Sequence, residues 1–119
     1  MYTSYYEIYI LLSLSFPLLL TTQCNKQKSE IPSCIQQRID QIKGGPKGSD
    51  ASEINEYIYQ GKHVYLFNSA CCDQYNPLLD GNCNYICAPS GGIAGSRDGK
   101  CSDFNTTAKL VRLIWKDPR

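Results

Sequence analysis

Seven cysteines in 119 residues set the first limit on what this chain can become. They are Cys24, Cys34, Cys71, Cys72, Cys83, Cys87 and Cys101. Such density is rare in a reducing compartment and common in small exported domains, where disulfides supplement a modest core. Cys24 stands apart from the other six. It follows an apolar run directly, in Leu-Leu-Leu-Thr-Thr-Gln-Cys. Without it the count is even, and all six remaining cysteines fall between Ile31 and Arg119. That parity predicts three disulfides in a single domain over 31–119. Each would contribute about 2–4 kcal/mol, mainly by restricting the unfolded chain.

The apolar run defines the compartment. Residues 1–23 contain no Lys or Arg and one acid, Glu7. The stretch Ile8 to Leu20 would span about 20 Å as a helix, short of the roughly 30 Å hydrocarbon core. Pro17 further weakens a spanning helix. The length fits a signal-peptide core, although the leading segment lacks the usual positive charge. A signal peptide over 1–23 is therefore expected. Acylation of Cys24 and a polar tether over 24–30 would follow, tying the chain to a bacterial membrane. Thr21 and Gln23 depart from the residues that lipoprotein signals prefer before the modified cysteine. Ordinary cleavage and secretion is the alternative.

Six cysteines leave many pairings open. A bond between neighbouring Cys71 and Cys72 is strained and disfavoured. The spacing suggests Cys87 with Cys101 across a Gly-rich loop. Cys34 would then join one of Cys71 and Cys72, and Cys83 the other.

The domain opens with helix signals: Ser33 as N-cap, Gln36 as its capping-box partner, and a stripe of Ile35, Ile39 and Ile42. Gly44 and Pro46 end it. Ile54–Tyr59 and His63–Phe67 flank Gln60-Gly61-Lys62 as a hairpin. Tyr75–Leu79 and Asn84–Ala88 read as two more strands around Asp80-Gly81-Asn82. Pro89–Lys100 reads as irregular. A short helix from Ser102 or Asp103 through Lys109 and a strand around Val111–Trp115 close the chain. The expected fold is α+β: a small disulfide-stapled domain with two helices packed on a short, mostly antiparallel sheet.

The strings Ile31-Pro32-Ser33-Cys34-Ile35, Cys71-Cys72-Asp73, Leu79-Asp80-x-Asn82-Cys83-Asn84, Ile86-Cys87-Ala88-Pro89, Gly91-Gly92 and Asp98-Gly99-Lys100-Cys101 occur in this order. In this the chain resembles a family of small cysteine-rich bacterial lipoproteins catalogued as a domain of unknown function. The resemblance covers Ile31 to about Asp117. Relatives carry Gly-x-Gly-Asp-Gly before the last cysteine, whereas this chain has Arg97 at the second glycine. The resemblance implies export and a lipid anchor, and it brings no activity.

The loop bearing Gly91, Gly92, Arg97, Asp98 and Gly99 is the candidate binding loop, since loops carry ligand residues more often than cores. It fails the phosphate-loop pattern, with Ala94 and Cys101 where Gly and Ser or Thr are required. Stapled-turn geometry is the competing role for its glycines. Asp80, Asn82 and Asn84 alternate like the start of a calcium loop, but Tyr85 stands where that loop needs Gly. Zinc held by Cys71, Cys72, Cys83 and Cys87 is the alternative to disulfides. No metal or cofactor is assigned. His63 is the only histidine and lies in an expected strand, so a catalytic triad has few parts to draw on. Tyr57, Tyr59, Tyr65, Tyr75 and Tyr85 offer either a binding surface or ordinary cross-strand packing. A net charge of +1 without a basic face argues against nucleic acid. The expected protein is a non-catalytic envelope module that binds an unidentified protein or small ligand. Metal-binding and hydrolase or thiol-enzyme readings are the alternatives.

Overall fold

A computed structural model describes residues 30–71, 73–93 and 97–119. The expected signal segment, Cys24, most of the expected tether and Cys72 lie outside the described residues. One helix, α1 (Ser33–Gly44), leads into strands β1 (Ala51–Tyr59), β2 (Lys62–Ser69), β3 (Tyr75–Asp80) and β4 (Tyr85–Gly91). A single turn, α2 (Phe104–Thr107), precedes β5 (Lys109–Lys116). The strands form one sheet in the order β4-β3-β2-β1-β5, with every neighbouring pair antiparallel.

This corrects the expectation of two helices on a short sheet. The sheet has five strands and dominates the domain, and α2 is only four residues long. The reason lies at Asp103. The carboxylate expected to cap a helix accepts a 2.6 Å hydrogen bond from the Tyr59 hydroxyl instead. The chain becomes extended at Ala108, so the helix cannot propagate. Phe104 is buried there, packed edge-on against Tyr57 and Tyr59.

The alternation of each strand splits the core between the two sheet faces. On one face Ile35, Ile39 and Ile42 of α1 pack with Ile54, Tyr65, Phe67 and Leu79. On the other Tyr59, Val64, Leu66, Leu78 and Cys87 pack with Cys101 and Phe104. The second face is covered because the chain must cross from β4 at one edge to β5 at the other. Residues of that connection, not a second helix, close this face.

The helix starts one residue earlier than the expected Ser33 cap would have it. Pro32 is the N-cap, and no side chain caps the helix. Gln36 donates to Asp40 instead of closing a capping box. At the other end Arg119 donates to the Gly45 and Ile42 carbonyls at 2.8 and 3.2 Å, with Asp117 orienting its guanidinium. A cation therefore meets the last carbonyls and negative dipole end of α1, where the Gly45 N–H also bonds to Ile42. The β1–β2 turn is tighter than Gln60-Gly61-Lys62 suggested. Tyr59 pairs with Lys62, and Gln60 and Gly61 both have positive φ (50° and 75°), as a two-residue primed turn requires.

Disulfides join Cys34 to Cys83 and Cys87 to Cys101, with Cα separations of 5.9 and 6.1 Å. The second pairing matches the expectation. The first corrects it: Cys34 meets Cys83, not one of Cys71 and Cys72. The cause is the fold of the β3–β4 turn. That turn brings Cys83, at φ 62°, beside the start of α1, where Gly81 also lies near Pro32.

Both sheet edges are managed. Along β4, Pro89 removes a donor, and the following segment hydrogen-bonds to the Ala88 and Gly91 carbonyls through Asp98 and Arg97. Along β5, two irregularities in register and the cations Lys109, Arg112 and Lys116 blunt the edge.

Candidate functional site

Asp80 organises the β3–β4 turn. Its Oδ1 accepts from the N–H groups of Asn82 and Asn84, both at 2.9 Å, and its Oδ2 accepts from the Asn84 amide. The Asn84 backbone hydrogen bond is the largest influence holding this carboxyl below its usual 3.8, against a smaller opposing effect of burial. The calcium-like triplet is thus a self-satisfied Asx turn. A carboxyl with a lowered folded-state pKa adds stability above its unfolded value and loses it as pH falls through the folded value. Asp80→Ala is expected to flatten the acid limb of the stability–pH curve below about pH 4. Urea midpoints taken across that range check it. An unchanged acid limb would remove Asp80 from the turn's energetics.

Cys83 and Cys87 are each committed to a disulfide, which removes two thiolates from the zinc cage considered above. His63 projects from β2 with its side chain 58% exposed, and its Nδ1 is 3.8 Å from the Glu56 carboxylate. Glu56 itself is buried. It accepts from the Tyr65 hydroxyl at 3.1 Å and pairs with Arg112 at 3.3 Å. Burial first, and then this hydrogen bond, push the Tyr65 phenol up to about 12. The buried carboxylate of this cluster is thus engaged by Tyr65 and Arg112.

The tyrosines divide between the two roles foreseen for them. Tyr59 and Tyr65 are buried, and Tyr57 is half-buried against Phe104. Tyr75 and Tyr85 are 53% and 52% exposed. Both exposed rings are held by the Gly-rich loop. A Cβ on Gly92, at φ 82°, would lie 2.7 Å from the Tyr75 ring. A Cβ on Gly91, also at φ 82°, would collide with the Gln74 carbonyl oxygen. The glycines therefore serve close backbone approach to β3.

Asp98 holds the second ring. It accepts a 2.5 Å hydrogen bond from the Tyr85 hydroxyl, and its other oxygen accepts from the Lys100 N–H at 3.0 Å. The Lys100 ammonium sits 5.6 Å from the Tyr85 ring centroid. The hydrogen bond to Asp98 is the main cause that raises the Tyr85 phenol to about 12, and it lowers the Asp98 carboxyl. Arg97, where the resemblance has glycine, sits at φ 21° and donates to the Ser102 carbonyl. Gly99 adopts φ 76° in open space. The three glycines therefore serve backbone geometry, while Asp98 and Arg97 act through side-chain hydrogen bonds.

A shallow, half-open recess of about 40 Å³ adjoins Tyr75. Arg38, Asp50, Ala51, Phe67, Ser69, Gln74, Tyr75 and Pro77 line it. Phe67 is a buried floor, and the Arg38 guanidinium lies 5.9 Å from its ring centroid. Ser69 donates to Gln74 Oε1 at 2.8 Å and to the Cys71 carbonyl at 3.2 Å, which fixes the β2–β3 loop at the rim. Sequence reasoning missed this recess. The available signal was Arg38, a cation three residues after Ile35 and beside Ile39 on the apolar stripe, but its neighbours come from β2 and β3 and are distant in sequence.

Among known proteins, a model of the family described as Domain of unknown function (DUF6970) matches residues 40–117. No curated protein and no solved structure matches the chain.

Proposed function

The chain belongs to this family of unknown function, and we propose that it is a non-catalytic, lipid-anchored binding module of the bacterial cell envelope. The observation that carries the binding reading is the pair of exposed tyrosines, Tyr75 and Tyr85, each fixed by the loop beside it. Rigid exposed aromatic side chains give contact area at low entropic cost. The two disulfides among the described residues support export, because such bonds persist in oxidising compartments. The apolar leader ending at Cys24 supports the anchor.

Fractionation of cells making the full chain tests the reading. The protein should sediment with membranes, and Cys24→Ser should release it into the soluble exported fraction. Recovery of the unaltered chain in the cytoplasm with its thiols reduced would overturn it.

A further inference from the structure

We propose that the β5 edge of the sheet rests on an anionic phospholipid bilayer, with Leu110, Val111 and Leu113 entering the interface and Lys109 and Lys116 meeting its phosphates. The proposal rests on the lipid-anchored envelope reading and adds which side of the domain faces the membrane.

An exposed apolar patch is the first argument. Leu110, Val111 and Leu113 are 62%, 43% and 51% exposed on a strand of eight residues. Leu110 lies opposite Tyr57 and Leu113 opposite Asn55, two positions apart on β1, so the two leucines share a sheet face. Phe104 covers Tyr57 and Tyr59 on that face, but neither leucine joins the buried cluster there. Grouped aliphatic side chains left in water mark a contact surface.

Charge selects the occupant. β5 carries three cations and no carboxylate. Arg112 pairs with the buried Glu56, whereas Lys109 and Lys116 bracket the strand, exposed and outside every ion pair among the described residues. Glu53, opposite Lys116 on β1, already accepts from the Asn55 amide at 2.7 Å. Lys62 adds another exposed cation at the β1–β2 turn. A second copy would bring the same cations against these and is repelled. A strand from another chain would need a regular ladder, which the two register shifts between β1 and β5 interrupt. A bilayer needs no ladder, and long lysine side chains reach its headgroups while the aliphatic ones go deeper.

Reach and orientation agree with this occupant. Cys34, near the start of α1, is joined to Cys83 in the β3–β4 turn. Asp80 of that turn lies opposite Val64, Val64 opposite Tyr57, and Tyr57 opposite Leu110. The turn that holds the start of α1 and the start of β5 are therefore at one end of the sheet, three strand spacings or about 14 Å apart. Six residues separate Cys24 from Ile31, enough chain to span at most about 25 Å. An acyl chain on Cys24 therefore reaches the bilayer on which β5 rests. The strand order places β4, with Tyr85, at the opposite edge, so the contact turns that exposed tyrosine away from the membrane.

The test is sedimentation of the oxidised Cys24→Ser chain, taken from the exported fraction, with vesicles of phosphatidylglycerol and with vesicles of phosphatidylcholine. Carrying no acyl group, it should bind the first saturably and the second far less, and added salt should release it. Lys109→Gln and Lys116→Gln should each weaken binding about fivefold, the equivalent of about 1 kcal/mol per cation near an anionic surface. Leu110→Ser combined with Leu113→Ser should weaken it about tenfold, and both side chains are exposed, so the fold is kept. Ile93→Ser, 77% exposed beyond β4, should change nothing. Equal binding to both kinds of vesicle, no binding to phosphatidylglycerol, or binding that the leucine variant leaves untouched would overturn the proposal. So would a dimer that the leucine variant dissolves. If vesicle binding fails while the unaltered chain still sediments with membranes through Cys24, the contact surface is lost and the anchor stands.

Discussion

Replacing Cys34 and Cys83 together by alanine is expected to cost about 4 kcal/mol, the largest loss from any one staple in this domain. The two cysteines are 49 residues apart and close a loop that includes β1, β2 and β3. Cross-linking a loop of that length removes more freedom from the unfolded chain than the Cys87–Cys101 bridge, whose partners are 14 residues apart. The second pair should cost about 3 kcal/mol on the same reasoning. Small domains have only about 5–15 kcal/mol in total, so removing both should leave the chain largely unfolded at ambient temperature. Urea unfolding of the two double variants and the quadruple variant checks the order. A larger loss from the Cys87–Cys101 pair would mean that loop length does not govern the effect here.

Gly91→Ala should be nearly as damaging, and for a reason confined to the native state. Its φ of 82° alone costs an alanine about 1–2 kcal/mol. The added methyl would also drive into the Gln74 carbonyl and crowd the Tyr75 and Asn76 backbone, which adds about 1–3 kcal/mol of overpacking. Gly48 supplies the matched control. It has a similar φ of 79°, but a Cβ there meets nothing within 4 Å. Gly48→Ala should therefore show the conformational cost alone. The two thermal unfolding curves measure the difference. Equal destabilisation would show that β3 gives way to the methyl, and that Tyr75 is held less firmly than described.

Much of the sheet was legible because its signals are local. The hairpin around Gln60-Gly61 follows from turn chemistry between runs of Ile, Tyr, Val and Phe, and β3 and β4 follow from Asx-rich residues flanked by apolar ones. The Ile35, Ile39 and Ile42 stripe marked α1 and its buried face in the same way. What was not legible depends on partners far apart in sequence. Asp103 looks like a helix cap until Tyr59, 44 residues earlier, takes its carboxylate. Cys34 has no local clue to Cys83, because their approach is set by how the β3–β4 turn sits against Pro32. Gly44 and Pro46 mark the α1 C-terminus locally, yet Arg119 reaches it from far along the chain.

The candidate site shows the same division. Asp98 and the two glycines stood out in the sequence through their loop, and the structure gives them roles in holding Tyr85 and Tyr75. The recess itself is assembled from α1, β2, β3 and the segments leading into β1 and β3. No periodicity joins Arg38 to Gln74. Only the packing of α1 across the sheet does so, and the Cys34–Cys83 bridge fixes that packing at one end.

The scaffold therefore depends on its oxidised pairing, and peptide mapping of the protein without reduction tests it most directly. The account predicts two linked peptide pairs, Cys34 with Cys83 and Cys87 with Cys101. A bond from Cys34 to Cys71 or Cys72, or a free thiol at Cys83 or Cys87, would contradict it.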